Sequence, residues 1–512
     1  MMKRILPAII LAFIAFSCTV DEGREIVPKE AVKSVSVEEI NQVIQSSLEE
    51  TNEFKWSSVG PEYVSSAAGS TDKTITIGYQ PEGFQNINER IHEINVNDPE
   101  WVEARREILS AIQEVYNNLD MDVNVEERIL RVHEVLPYIN IEAHEYEVIA
   151  KLRTMNTVRY AEPRTYEFEF DYQQPNNQRT LSGSGCADGG SGESINSADF
   201  TNISGGNKAS WTLYQHNIPA AWSYSKGNNV GVGVIDTGLS PSQNKLNSQF
   251  SAGQSSGRSR FKYGTYVSSW WPWANPDGPD DQCGHGTSMA GAAVAPRAGD
   301  GMSVGVAYQA DLYSVRAIGD VIISSGRDKD GVSDAYVLLG NKSGVKVISM
   351  SLGTPLWSNQ VADAVRYAYG RGKLIFCAAG TSTSFTNWYG VIFPATMSET
   401  VAVTGIKDNG YNRCDVCHDG SAVDFVVTMQ RANNGGRTAL TLPFFGTGGT
   451  EYVGGSSVAT ATTAGMAALV WARNTSWSRT TVLNKLKQAA EFYPNRSSKH
   501  GWGKIDALQA VQ

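Results

Sequence analysis

The sequence is short of positive charge. Across 512 residues, 43 Lys and Arg stand against 53 Asp and Glu, a net charge of −10. No basic surplus is left to meet phosphates, so nucleic acid is set aside as a partner. Cysteine is also scarce, with six residues at Cys18, Cys186, Cys283, Cys377, Cys414 and Cys417. That is too few for a disulfide-built scaffold. The apolar run Ile5 to Phe16 is about a dozen residues, too short to span a bilayer. What remains is the composition of an ordinary globular protein, long enough for a large core and for about two to four domains.

Lys3 and Arg4 precede the apolar run, as in a signal peptide. Ser17-Cys18 ends it, and Thr19, Asp21 and Glu22 follow. A small residue, a Cys and a polar, acidic tail resemble a bacterial lipoprotein signal, although Ala15 and Phe16 stand where a Leu and a small residue are commoner. The resemblance implies that residues 1–17 are removed and that Cys18 is lipidated. Acyl chains would then hold the protein to a membrane without a transmembrane helix. The implied location is the cell envelope, as an outer-membrane or cell-surface lipoprotein, with plain secretion as the alternative. Apart from Cys18 five cysteines remain, so at least one stays unpaired unless pairing is intermolecular.

Residues 18–70 are polar and read as a tether, with one short helix expected near Val37 to Glu50. Residues 71–165 alternate strands and helices. Thr74 to Tyr79 reads as a strand, and Pro99 opens an amphipathic helix carrying Trp101, Ala104, Ile108, Ile112 and Val115. Val135 to Ile141 reads as a strand, His144 to Met155 as a helix, and Val158 onward as a strand ending at Pro163. Residues 166–207 are rich in Ser, Gly, Asn and Gln and read as a linker open to processing.

The run Val230 to Ile235 reads as a buried parallel strand that leaves Asp236 at its carboxyl end. In Cys283-Gly284-His285-Gly286-Thr287, two glycines flank a histidine where a small-residue helix begins. Gly454-Gly455-Ser456-Ser457 runs into the apolar, helix-favouring segment Val458 to Arg473. A serine at such a helix start meets free N–H groups and a dipole that favours developing negative charge, which suits acyl transfer. A lipase or esterase is disfavoured, because Ser457 is not in a G-x-S-x-G elbow.

The order Asp236, His285, Ser457 resembles that of the subtilisin-like serine proteases over residues 208–512. Ile218-Pro219-Ala220-Ala221-Trp222, Ser349 to Gly353, Ala378-Ala379-Gly380 and Gly501 to Ala507 match as well. The resemblance implies an α/β fold, a mainly parallel sheet with helices on both faces. It implies a Ser457 nucleophile, a His285 base and an Asp236 that orients the imidazole. Ser456 is the rival nucleophile, but it stands where the family has Thr. Substrate would pair along Ser351, Leu352 and Gly353, with Ala378, Ala379 and Gly380 walling the first specificity pocket. Leu136 to Ala143 and Val158 to Pro163 resemble the family's propeptide, a small α+β domain that assists folding and occupies the cleft until cleaved. A structural domain that is never removed is the alternative.

Thr381 stands where subtilisins carry the Asn that donates to the oxyanion. Three readings follow: Thr381 is a weaker donor, Asn387 or another loop residue supplies one, or the enzyme is slow or inactive. The expected function is therefore a secreted or lipid-anchored serine endopeptidase acting on proteins or peptides through an acyl-enzyme. It would be made as a precursor inhibited by its own propeptide. The alternative is a subtilisin-like peptide-binding module. No cofactor is expected. The aspartates of Asp277 to Asp281 lack EF-hand spacing and are read as a structural calcium site or as solvated. Cys414-x-x-Cys417-His418 matches a haem-attachment pattern but reads as a local disulfide, with zinc short of two ligands. Cys283 reads as a thiol that could be free beside His285, and Cys377 as a buried thiol. Trp270, Trp271 and Trp273 are read as binding substrate side chains or packing a surface loop. Nothing in the sequence speaks to oligomerisation.

Overall fold

The structure, a computed structural model, describes residues 34–168, 186, 192–269, 274–381, 390–446 and 449–512. The expected signal segment, Cys18, Trp270, Trp271, Trp273 and Asn387 lie outside the described residues. No helix among the described residues is long and apolar enough to cross a membrane.

The expected tether is folded from residue 34 on. Helix α1 (Val37–Thr51) starts where the Ser36 hydroxyl accepts the Glu39 N–H, and buries Ile40, Ile44 and Leu48 on one stripe. Trp56 is buried beyond it, and α2 (Pro61–Gly69) opens on a proline. Polar composition hid this packing, because the apolar residues are few but aligned. An antiparallel sheet follows, in the order β2-β3-β1-β4, from β1 (Thr74–Tyr79), β2 (Ile129–Val132), β3 (Tyr138–Glu142) and β4 (Val158–Pro163). Helix α3 (Pro99–Asn118) buries Trp101, Ala104, Ile108 and Ile112, and α4 (Tyr146–Leu152) is shorter than expected. Strand β3 starts late because Leu136 accepts a turn bond from the Tyr138 N–H.

The expected linker is also folded at both ends. Tyr166 and Phe168 are buried with the N-terminal module. From residue 192 the chain lies on the larger body, where Phe200–Asn202 pairs with Lys208–Ser210. Asp199 is fully buried and accepts bonds from Arg431, Arg437 and the Tyr452 hydroxyl.

The larger body is built on β5 (Gly231–Asp236), β6 (Arg260–Gly264), β7 (Asp311–Arg316), β8 (Val345–Met350), β9 (Leu374–Ala378), β10 (Thr400–Lys407) and β11 (Phe425–Gln430). They form a seven-stranded sheet in the order β11-β10-β9-β8-β5-β7-β6, and every pairing is parallel. Strand residues alternate between two cores. Val232, Val234, Phe376 and Val403 pack with α5 (His285–Val294), and the neighbouring Ile235, Ile375 and Ala402 pack with α6 (Gly326–Asn341) and α7 (Asn359–Gly370). The short β12 (Ala439–Thr441) and β13 (Glu451–Val453) pair and lead into α8 (Gly455–Trp471), which is buried along its whole length. Its residues are small or apolar on every side, as a helix enclosed by protein requires.

The N-terminal sheet rests on α6 and α7 through charge as well as apolar contact. Arg159 donates to both oxygens of the fully buried Asp363 at 2.6 and 2.8 Å, and the Tyr160 hydroxyl adds a bond at 3.1 Å. Arg131 and His133 meet Asp334, and Arg164 and Asn140 meet Asp330. Glu162 accepts from the backbone and side chain of Asn359, at the free N–H groups that start α7. Stripping Arg159 away costs the buried Asp363 two charge-assisted bonds and leaves it Arg366 at 3.5 Å as its cation, a loss of about 3 kcal/mol. Arg159→Ala is therefore expected to loosen the module from α6 and α7. Hydrogen exchange should quicken across β1 to β4 while β5 and β8 stay protected, and unchanged exchange in β1 to β4 would refute the role given to this pair.

Candidate active site

Asp236 closes β5 at the carboxyl edge of the sheet, fully buried. His285 opens α5 two residues after Cys283. The approach to it is held by Asp281, a buried carboxylate that sequence reasoning left as calcium ligand or solvated. Its Oδ1 accepts from the Thr237 hydroxyl and the Cys283 and Gly284 N–H groups, and its Oδ2 from the Thr287 N–H and hydroxyl. The carboxylate thus occupies the positive end of α5. Asp277 and Asp280 pair with Arg316 and Lys262, so each aspartate of the run has a protein partner.

The imidazole Nδ1 of His285 lies 2.8 Å from Asp236 Oδ1, which also accepts the Thr237 N–H at 2.8 Å. With Nδ1–H facing the carboxylate, Nε2 is the nitrogen left to act as a base. Burial works against a charged imidazole. The charge of Asp236 and the bond to it, helped by Asp281 and Asp320, outweigh burial and hold the His285 pKa above its ordinary value.

Ser457 is the third residue of α8 and shares with His285 the lining of a cavity of about 370 Å³. Its N–H belongs to the first turn, which has no partner within the helix. The Ser351 hydroxyl donates to the Ser457 carbonyl at 3.1 Å and fixes that turn. Of the expected substrate-binding residues, Ser351, Leu352, Gly353, Ala378 and Gly380 line the cavity. Ala379 does not. It is buried behind them, where its N–H donates to Val403 and its carbonyl accepts from Ile392. Alternation along an extended strand turns it away from the cleft. Ile392, Val321 and Ile322 supply the apolar part of the lining that the sequence pattern had left unassigned. No local motif marks them, because loops after β7 and before β10 carry them to the cavity.

Thr381 also lines the cavity, held by Ser456. Its Oγ1 accepts the Ser456 N–H at 3.1 Å and lies 3.0 Å from Ser456 Oγ. Ser456 is thus the residue that grips Thr381. Gly455 allows this approach: its φ is +86°, and a Cβ there would come within 2.8 Å of Thr381 Oγ1. Gly380 is similarly confined at φ +124°, where a Cβ would run into His418 Nδ1.

Cys414 and Cys417 are joined to each other, which agrees with the local disulfide and leaves no thiol for haem or zinc. That hairpin sets Cys417 opposite Thr381 in a backbone bridge. Cys377 is a buried thiol whose pKa burial pushes up to about 12. Cys283 is not free, however. It is bonded to Cys186, and Cys186 lines the cavity.

A family model described as the subtilase family matches residues 227–503. M-protease of Shouchella clausii (strain KSM-K16) is 30% identical over 308 residues, covering 59% of this chain and 70% of the relative. Subtilisin Savinase of Lederbergia lenta is 30% identical over 308 residues, covering 59% of this chain and 98% of the relative. Among solved structures, a protease from Pseudoalteromonas arctica PAMC 21717 aligns over 59% of this chain and 96% of its own, at 23% identity and a TM-score of 0.47.

The chain has seven histidines, few enough for selective isotope labelling and titration by magnetic resonance. His285 is expected to titrate above pH 6.5, and Asp236→Asn to lower that midpoint by removing the charge that favours the imidazolium. Burial lowers His216 and His418 to about 4, so both should stay neutral through the same range. A His285 midpoint unmoved by Asp236→Asn would contradict the coupling.

Proposed function

The chain belongs to the subtilase family, whose members are serine peptidases, and from that premise we propose that it is an endopeptidase working through Asp236, His285 and Ser457. The observation that carries this reading is the 2.8 Å Asp236–His285 bond at a cavity that Ser457 also lines. Ser457 Oγ attacks the scissile carbonyl while His285 Nε2 takes its proton. Asp236 holds the ring and stabilises the imidazolium. His285 then returns the proton to the leaving amine as the carbon–nitrogen bond breaks, leaving an acyl-enzyme. Water, deprotonated by His285, releases the acid. The side chains and water supply every proton, so the scheme needs no cofactor.

The Ser457 N–H and the Thr381 hydroxyl are the proposed oxyanion donors. Thr381 Oγ1 lies close to both the N–H and the hydroxyl of Ser456. If Ser456 donates both hydrogens, Thr381 has its lone pairs occupied and its own hydrogen free for the cavity. The apolar lining of Leu352, Val321, Ile322, Ala378 and Ile392 favours an apolar side chain before the scissile bond.

The N-terminal module is proposed as an inhibitory propeptide. Its seat on α6 and α7, and the presence of Cys186 in the cavity lining, support a precursor whose chain passes by the cleft. Export and a lipid anchor on Cys18 are proposed from the signal pattern. The disulfides Cys186–Cys283 and Cys414–Cys417 fit an oxidising compartment.

Intact mass followed over hours tests the enzyme. The wild type is expected to lose about its N-terminal third, and Ser457→Ala to stay whole; processing that persists in Ser457→Ala would count against the nucleophile. In the same assay Thr381→Val should slow the loss and lower kcat with little change in KM. The drop expected is about 10²–10³, the scale measured for one oxyanion donor in a related subtilisin. An unchanged kcat would remove Thr381 from the hole. Separately, Cys18→Ala should move the protein from the membrane fraction to the soluble one, and unaltered fractionation would sink the anchor.

A further inference from the structure

Glu451 sits on β13, six residues before Ser457, and its side chain lines the same cavity as His285. It is the only acidic side chain in that lining among the described residues, and no Lys or Arg joins it. The Ser288 hydroxyl donates to its Oε1 at 2.8 Å. Ser288 lies on α5, one turn after His285, so the carboxyl is tied to the helix that carries the proposed base. The other charge that bears on it is Glu193, of like sign, which accepts the Tyr452 N–H. Among the described residues no Lys or Arg stands at this carboxyl to neutralise it.

The lining falls into two groups by the elements that supply it. Leu352, Gly353, Ala378 and Ile392, at and beyond the ends of β8 and β9, form the apolar one, against which the acyl part of a substrate would lie. Ser288 of α5 and Glu451, Tyr452 and Val453 of β13 form the other, which on the peptidase reading is left for the part that departs as the amine. Resting on the peptidase reading above, we propose that Glu451 is a specificity residue that selects a basic side chain, Lys or Arg, just after the scissile bond. A cation there would give the carboxyl the partner it lacks, in a partly desolvated cleft where such a pair discriminates strongly. Burial, with Glu193 adding to it against the Ser288 bond, raises the carboxyl to about pKa 7. The selection is therefore present when the group is ionised and fades as pH falls through that value. The groups facing it are Ser288 and Glu193, with His285 on the same cavity.

The test uses the processed wild-type protein and internally quenched peptides that differ only after the scissile bond, carrying Lys or its uncharged isostere norleucine. The Lys to norleucine ratio of kcat/KM is expected to be on the order of ten at pH 8.5. It should fall toward one at pH 6, and His285 cancels from the ratio because both peptides need it. In Glu451→Gln the ratio is expected near one at both pH values. The wild-type pH series needs no variant, so misfolding of Glu451→Gln does not spare the proposal. Cleavage of both peptides at a ratio near one at pH 8.5 overturns the selectivity and leaves the peptidase intact. Cleavage of neither peptide, by wild type or by Ser457→Ala alike, overturns the peptidase reading and this inference with it.

Discussion

A helix enclosed on every side governs this architecture. Helix α8 has no solvent face, so all of its contacts must be met by packing against β8, β9, β10 and α5. That demand explains its run of Ala, Thr, Gly and Val, and why β5 and β8 to β10 present apolar side chains toward it. It also fixes where its first turn can lie. Packing on every side resists tilting, and Gly454, Ser456 and Ser457 at the start of the helix line the cavity. Ser457 and Thr381 inherit their positions from this fit, through Ser351 on one side and Ser456 on the other.

The placement of the cleft residues was legible where it is written locally. A buried strand ending in Asp236, a histidine between glycines and a serine after Gly454-Gly455 each carry their geometry within a few residues. The parallel sheet followed from the same patterns. What lay hidden depends on partners far along the chain. Asp281 looked like one aspartate among several, yet it alone is drawn inside, because Thr237 and the start of α5 present donors to it. Ala379 looked like a wall and is one residue out of phase with the cleft. Glu451 carries no pattern at all, and only the pairing of β12 with β13 brings it to the cavity. The segment 34–70 misled for a compositional reason, since a few aligned apolar residues suffice to seat α1 and Trp56.

The N-terminal module contributes to the larger body in two currencies. Leu136, Tyr138 and Tyr160 belong to the same apolar cluster as Val332, Ala335 and Val361 of α6 and α7. The carboxylates Asp330, Asp334 and Asp363 on those helices are met by Arg131, Arg159 and Arg164. Without the module the same helices would present an apolar patch ringed by acids. Asn52 reaches further still, bonding the Gly390 N–H and the Val391 carbonyl next to the pocket residue Ile392.

The Cys186–Cys283 bond makes a ring of the chain, its ends 97 residues apart in sequence. Closing a ring of about that size removes unfolded-state freedom worth about 4.7 kcal/mol in the chain-entropy account. It also sorts backbone cuts into two kinds. A break between the two cysteines opens the ring but sheds no fragment, so Asp236, which lies within it, stays joined to the loop before His285. A break ahead of Cys186 severs the N-terminal module from everything after it, leaving only non-covalent contacts to hold it. Under oxidising conditions a single cut around the central strand therefore leaves one covalent piece, whereas a cut upstream of Cys186 frees the N-terminal module from the rest.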